Sequence, residues 1–215
     1  TTVYDREGNL TDTLVTAGSN RDPATFDELP KDLINAFVAI EDSRFWTHNG
    51  IDLRSIARMI KGVITGDSSA GGGSTITQQL LKNTVFTDWT SEGSNKIKKI
   101  KRKIQEQYLA LEITKYYSKD EILLRYMNAI NLGQNTLGVE SASLRYFGKH
   151  CSDLTISECA VIASITQNPS KYNPIRHPEE NAKRRETCLN KMLELGFISQ
   201  AQYDEAVSLG DGLRP

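Results

Sequence analysis

From residue 30 onward, apolar residues recur at helical spacing, and most of the segments that carry this period open on a helix-start signal. Pro30 precedes Leu33, Ile34, Phe37, Val38 and Ile40, and Asp52 stands as an N-cap before Leu53, Ile56, Ala57, Ile60 and Ile64. Residues 95–116 carry Ile97, Ile100, Ile104, Tyr108 and Leu111 at spacings of 3, 4, 4 and 3. Ser118-Lys119-Asp120-Glu121 and Thr155-Ile156-Ser157-Glu158 match capping boxes for helices through about Met127 and Ile165. Further helices are predicted from Ser74 to Asn83, over 179–195 with Gly196 as the stop, and over 199–208 from Ser199. Residues 1–30 differ: Val3 to Leu10 reads as two short extended pieces around a Glu7-Gly8-Asn9 turn, with Leu14-Val15 as a further extended candidate. Gly66–Gly73 is the clearest break in the chain, and Gln167–Pro178, with three prolines, is irregular. A mainly α fold with a short extended or hairpin N-terminal segment follows.

Composition narrows the function classes. A chain of 215 residues supports one substantial core or two lobes around a cleft. With 38% hydrophobic residues and a mean hydropathy of −0.44, it has enough apolar surface to fold. No run approaches the roughly 18 apolar residues of a membrane span; the longest candidate, Cys159–Ile165, is far shorter, and residues 1–20 are polar and mixed, unlike a signal peptide. Lys+Arg 26 against Asp+Glu 27 leaves no basic field for nucleic acid. Cys151, Cys159 and Cys188 are odd in number and lack metal-ligand spacing, so neither a full disulfide framework nor a cysteine zinc site is indicated.

Three segments place polar, charged and glycine residues where a plain core helix would not. EDSRFWTHNG at 41–50 puts Glu41 and Asp42 at the end of an apolar helix beside aromatics, where a carboxylate can act as a base; the plain alternative is that both solvate a helix end. His48 reads as a structural hydrogen-bonding group and has no partner histidine at metal spacing. GGGSTITQQLLKN at 71–83 offers backbone N–H groups and hydroxyls to an anion, and Gln78 and Gln79 suit sugar hydroxyls. It is not a P-loop, because Lys82 lies eight residues after Ser74, and a flexible linker remains the plain alternative. In KIKKIKRKIQEQYLALE, six of the eight residues 96–103 are cationic around an intact apolar stripe, and Arg102, Lys103 and Glu106 share a helix face. A surface ion pair is one account; a cation-rich site for phosphate is the other. Residues 52–64, with Arg54, Arg58 and Lys61 at i, i+4, i+7 and extra apolar surface from Phe45, Trp46, Ile51, Met59 and Val63, fit either an interfacial membrane helix or an ordinary core helix.

Taken together, these motifs resemble the family 51 glycosyltransferases, the peptidoglycan glycosyltransferase domain of class A penicillin-binding proteins and monofunctional transglycosylases. The resemblance covers roughly residues 28–175. Residues 41–50 match E-D-x-x-F-x-x-H-x-G, residues 72–83 match G-G-S-T-I-T-Q-Q-x-x-K-N, and residues 102–106 match R-K-x-x-E. Lys119–Asn128 resembles the next motif, with Met127 where leucine is common, and Gly138–Lys149, Gln167–Ser170 and Tyr172–Pro174 resemble later ones. The resemblance implies a lysozyme-like, two-lobed fold: a head, and a membrane-dipping jaw within roughly 45–72. It divides the chain into a lead-in at 1–30 and a glycosyltransferase domain at 31–215. By motif position Glu41 is the implied catalytic base and Glu106 the second acidic residue. Lys82, Arg102, Lys103 and Lys98 are implied pyrophosphate contacts, and Asp42, Arg44, Ser74, Thr75, Gln78, Gln79 and Asn83 further substrate-site residues.

The implied reaction is inverting polymerisation of lipid II into β-1,4 glycan strands with release of undecaprenyl pyrophosphate, at the extracytoplasmic face of a bacterial membrane. The implied partners are lipid II, the growing glycan chain and the membrane surface. No obligatory cofactor is implied; a divalent Mg or Mn ion accompanying the pyrophosphate is compatible. A pyrophosphate leaving group needs cations and not a protonated acid, whereas a lysozyme-type hydrolase needs a carboxylic acid for its sugar leaving group. Arg102 and Lys103 beside Glu106 favour its charged form, which argues for transfer. A hydrolase of the same polymer and a non-catalytic lipid-pyrophosphate-binding module are the rival readings. The family usually carries an N-terminal anchor that is not seen in these residues, and residues 1–30 resemble the lead-in of bifunctional class A proteins, so linkage to a transpeptidase in a longer protein is expected.

Overall fold

Most helix-start signals are used where they stand; the helix expected from Ser74 is capped one residue on, by Thr75. Thr75, Ser118, Thr155 and Ser199 each form a capping box, accepting from the N3 backbone while the N3 Gln or Glu side chain returns to the cap N–H. The computed structural model describes residues 2–4, 10–13, 22–66, 72–86 and 96–213. Within these lie α1 (Lys31–Glu41), α2 (Leu53–Thr65), α3 (Ile76–Thr84), α4 (Lys96–Ile113), α5 (Lys119–Ala129), α6 (Val139–Phe147), α7 (Ile156–Ile165), α8 (Pro178–Glu194) and α9 (Gln200–Ser208). β1 (Thr2–Tyr4) pairs antiparallel with β2 (Leu10–Thr13), as the lead-in predicts. The Glu7-Gly8-Asn9 turn, the Leu14-Val15 piece and most of the Gly66–Gly73 loop lie outside the described residues.

Apolar spacing does not mark α6, for a physical reason. Its buried face is built partly from Ser141, Ala142 and Ser143 between Val139 and Tyr146-Phe147, so apolar periodicity is faint. Small side chains serve close approach here and leave little hydrophobic signal.

The head lobe is built around α7. Residues Ser157–Ile165 are all buried, so this helix is covered on every side, by α1, α8 and α9. α1 contributes Leu33, Ala36, Phe37, Val38, Ala39 and Ile40 to the same core. Cys151, Cys159 and Cys188 are free and buried, and burial pushes the Cys151 and Cys188 thiols up to about 12, so they act as apolar core residues. α1 and α7 therefore end side by side at the edge of the cleft, each delivering its last residues there.

The other side of the cleft is organised differently. α4 packs on α3, yet its apolar stripe points away from the protein: Ile97, Ile100, Ile104, Tyr108 and Leu111 are all exposed, while Glu106 and Ala110 are buried. α2 likewise exposes Leu53, Met59, Ile60 and Ile64. The stripe that predicts these helices faces outward.

Candidate active site

The 41–50 segment is joinery before it is anything else. Asp42 is buried, accepts from the Ile76 N–H at the start of α3 (3.0 Å), and pairs with His48 Nε2 (2.9 Å). Lys119 on α5 donates to the His48 carbonyl (2.6 Å) and lies 4.4 Å from the centroid of the buried Phe45 ring. Burial lowers the Lys119 pKa from its ordinary value, against the pull of Asp42. Gly50 has φ +87, and a Cβ there would lie 2.1 Å from the Ala110 carbonyl oxygen, so only glycine lets the loop meet α4. Thr75 Oγ1 donates to the Gly50 carbonyl (2.6 Å) and closes the joint.

Glu41 is the last residue of α1, at the negative end of the helix dipole, where an anion is disfavoured. Its support comes from three other helices. Thr166, just past α7, donates from Oγ1 to Oε1. Gln79 on α3 donates from Nε2 to Oε2 (2.7 Å), and Arg184 on α8 stands 3.7 Å from Oε1. The Gln79 amide is itself oriented by Tyr126, which donates to its Oε1 (3.2 Å); burial and the nearby Glu41 and Asp42 charges push the Tyr126 phenol upward and keep it a donor.

Two cavities meet at this carboxylate. The first, about 580 Å³, is lined by Glu41, Gln78, Gln79, Lys82, Asn83, Arg102, Lys103 and Glu106 among others; the second, about 390 Å³, by Glu41, Asp42, Arg58, Arg184 and Lys191 among others. Ser74, Gln79 and Gln167 line both. On the first cavity's far wall Glu106, only 1% exposed, pairs with Arg102 and with Lys103 (3.0 Å), and Lys103 also donates to Ser74 Oγ (2.6 Å). Gln78 is buried against the same cavity, and its Nε2 has no partner among the described residues.

The sequence-predicted residues thus divide. Glu41, Glu106, Ser74, Gln78, Gln79, Lys82, Asn83, Arg102 and Lys103 converge on the first cavity. Asp42 and Thr75 border the second, though their polar atoms are spent on backbone and His48 contacts. Arg44 lines neither cavity: its guanidinium bonds Asp52 (2.6 Å) and Ser55 (3.0 Å), latching the start of α2. Lys98 is exposed on α4 and also lines neither. No local pattern marks Thr166, Arg184, Arg58 and Lys191 as site residues; their place depends on how α2, α7 and α8 pack beside α1.

The transglycosylase family profile matches residues 7–193. The chain belongs to the transglycosylase family. As a transglycosylase domain it is a glycosyltransferase, and its mainly helical fold is the two-lobed one of that family. It is similar to penicillin-binding protein 1A of Clostridium perfringens strain 13, 42% identical over 215 residues, covering 96% of this chain and 30% of that protein. It is also similar to penicillin-binding protein 1F of Bacillus subtilis strain 168, at 41% over 197 residues, covering 92% of this chain and 26% of the relative. The crystal structure of penicillin-binding protein 1A from Haemophilus influenzae aligns over 96% of this chain and 20% of that one, with a TM-score of 0.56 and 25% identity. The chain therefore spans under a third of the curated relatives it matches.

Proposed function

We propose that this transglycosylase domain polymerises lipid II into β-1,4-linked peptidoglycan strands, with inversion and release of undecaprenyl pyrophosphate. The observation that carries the reading is the position of Glu41 on the wall shared by the two cavities, one of which holds Lys82, Arg102 and Lys103. In this reading the donor's pyrophosphate lies against those cations, and the acceptor sugar enters from the second cavity, where Arg58, Arg184 and Lys191 meet its own pyrophosphate. Glu41 takes the proton of the acceptor 4-hydroxyl. The oxygen bonds to the donor anomeric carbon as the bond to pyrophosphate breaks, and the leaving group departs with its electron pair into the cationic wall. Gln78 Nε2, without a partner among the described residues, is a donor ready for a sugar or phosphate oxygen.

Glu106 serves this scheme as the anion that holds Arg102 and Lys103 in place. A retaining or inverting hydrolase would need a second carboxyl free to protonate a sugar oxygen, and Glu106 is bracketed by two cations instead. Glu41, Asp42 and Glu106 are already engaged, and no cluster of three His, Cys, Asp or Glu able to hold a metal occurs among the described residues. These side chains do not build a metal cage, and no step above runs through one.

The exposed apolar faces of α2 and α4, flanked by Arg54, Arg58, Lys99 and Lys101, suit the headgroup region of an anionic bilayer, where a lipid-linked substrate is presented. We assign the domain to the extracytoplasmic membrane face, within a longer protein that joins it to a transpeptidase. The test is incubation of the chain with radiolabelled lipid II in detergent, followed by sizing of the product. Long strands are expected. Shortening of preformed strands identifies the hydrolase reading, and binding without turnover the non-catalytic one.

A further inference from the structure

The contact between Thr166 and Glu41 joins two helix ends that are 125 residues apart in sequence. Thr166 is the C-cap of α7, whose preceding turn is fully buried, so its backbone is anchored in the core of the head. Its single hydroxyl hydrogen has two acceptors within reach: Glu41 Oε1, and the Ala163 carbonyl of its own last turn at 2.8 Å. Glu41's other oxygen faces a different kind of partner. The Gln79 amide N–H donates to Oε2, and Tyr126 fixes that amide by donating to its carbonyl, so this contact cannot reverse.

We propose that Thr166 is a positioning residue whose rotating hydroxyl keeps the Glu41 carboxyl hydrogen-bonded in both of its protonation states. This inference rests on the reading of Glu41 as the base. While Glu41 is ionised, Thr166 donates to Oε1 and Gln79 to Oε2, fixing the plane of the carboxylate at the wall between the cavities. When Glu41 Oε1 has taken the acceptor's hydroxyl proton, the Thr166 hydrogen turns to the Ala163 carbonyl, and Thr166 Oγ1 accepts from the Oε1–H once that O–H has rotated away from the sugar. One proton has moved from the sugar oxygen to Glu41, the sugar oxygen has bonded to the donor carbon, and the pyrophosphate has left with the electron pair. Thr166 itself neither gains nor loses a proton. Only a hydroxyl performs both roles, since an amide N–H donates in one direction and a methyl in neither.

The test compares Thr166→Val, Thr166→Ser and Glu41→Gln in lipid II polymerisation, with thermal melting as the check on folding. Thr166 is half-buried at a helix end, so the isosteric valine fits. The expected result for Thr166→Val is a kcat lowered roughly 10- to 100-fold, the value of a hydrogen bond to a charged group, with KM held within about threefold. Thr166→Ser, which keeps the hydroxyl, returns most of the rate. If valine disturbs the fold, Thr166→Ala against Thr166→Ser makes the same comparison. A valine variant within about twofold of the parent kcat, beside an inactive Glu41→Gln, overturns the proposal and leaves the base assignment standing. So does a serine variant as slow as valine, which would make the effect one of shape. An active Glu41→Gln instead overturns the assignment of the base, and this proposal with it.

Discussion

The two carboxylates that face each other across the first cavity are held by opposite means. Glu41 ends a core helix and is gripped by a hydroxyl and an amide, with one guanidinium at 3.7 Å. Glu106 is buried mid-helix and is bracketed directly by Arg102 and Lys103. The neutral donors orient Glu41, whereas the direct ion pairs make Glu106 the anchor that sets the positions of Arg102 and Lys103. The difference extends into the lobes behind them. α7 is mostly apolar and buried on all sides, whereas α4 turns its polar face to the protein and its isoleucines outward. In the function proposed above, chemistry is mounted on the buried side, and substrate charge is met from the side whose outer face suits a membrane.

Exchanging the carboxylates' chemistry gives the largest effect. Glu41→Gln preserves shape and one of the two side-chain hydrogen bonds in full, and kcat in lipid II polymerisation is expected to fall by about 10²- to 10⁴-fold, the contribution of a positioned base, with substrate binding retained. Equal turnover in the two proteins would remove the distinction between the carboxylates. The matching change at Glu106 acts first on stability. Glu106→Ala removes the buried anion that Arg102 and Lys103 both bond, a loss of about 2 kcal/mol because the two cations remain partly solvated in the cavity, read as a lowered urea midpoint at unchanged slope. An Ala variant as stable as its parent would mean that the cations hold each other's positions without the acid.

Much of this contrast was legible in the sequence, and unevenly so. The capping boxes at Thr75, Ser118, Thr155 and Ser199 encode their helices locally, because both partners of each box lie within four residues. The cationic run and Glu106 were legible for the same reason, since i, i+3 and i, i+4 spacings fix which side chains meet. The support of Glu41 was not. Its partners come from three other helices, and a threonine after an apolar segment carries no mark of its target. Nor does a stripe of isoleucines say whether it faces a core or the surroundings: α4 and α1 are alike in having an apolar face, and only packing separates them. Arg44 shows the converse case: its motif position points to the substrate site, while its guanidinium bonds Asp52 and Ser55 at the start of α2, a contact that no local pattern reveals.

The exposed face of α4 sharpens the comparison between lobes. Replacing both Ile100 and Ile104 by Asp is expected to leave the melting temperature nearly unchanged, because each side chain is 61% exposed. The same double change should cut partitioning onto phosphatidylglycerol vesicles by about tenfold or more, through lost apolar contact and added negative charge. A charge placed at the fully buried Ile162 of α7 would instead abolish folding. Undiminished vesicle binding by the α4 variant would move the membrane contact elsewhere.

The smallest effect lies at the latch of α2. Asp52 caps the helix by accepting from Arg54 and Ser55 N–H, and it pairs with Arg44 at 2.6 Å. Burial alone would raise its pKa; hydrogen bonds from Arg44 and Ser55 outweigh this and hold it near 2. An aspartate in the unfolded chain titrates near 4. A depressed folded-state value contributes stability that is present above about pH 4 and is lost as pH falls through 4 toward 2, because the unfolded chain then binds the proton first. The contribution is about 1–2 kcal/mol once solvent screening around Arg44 is allowed for. Asp52→Asn keeps a good cap and removes the titration. Urea unfolding should therefore show the parent more stable than the variant at pH 6 and the gap closing by pH 2.5. A gap that stays constant across that range would mean that the Arg44 latch gains nothing from the charge on Asp52, and that shape and capping alone hold α2 against the head.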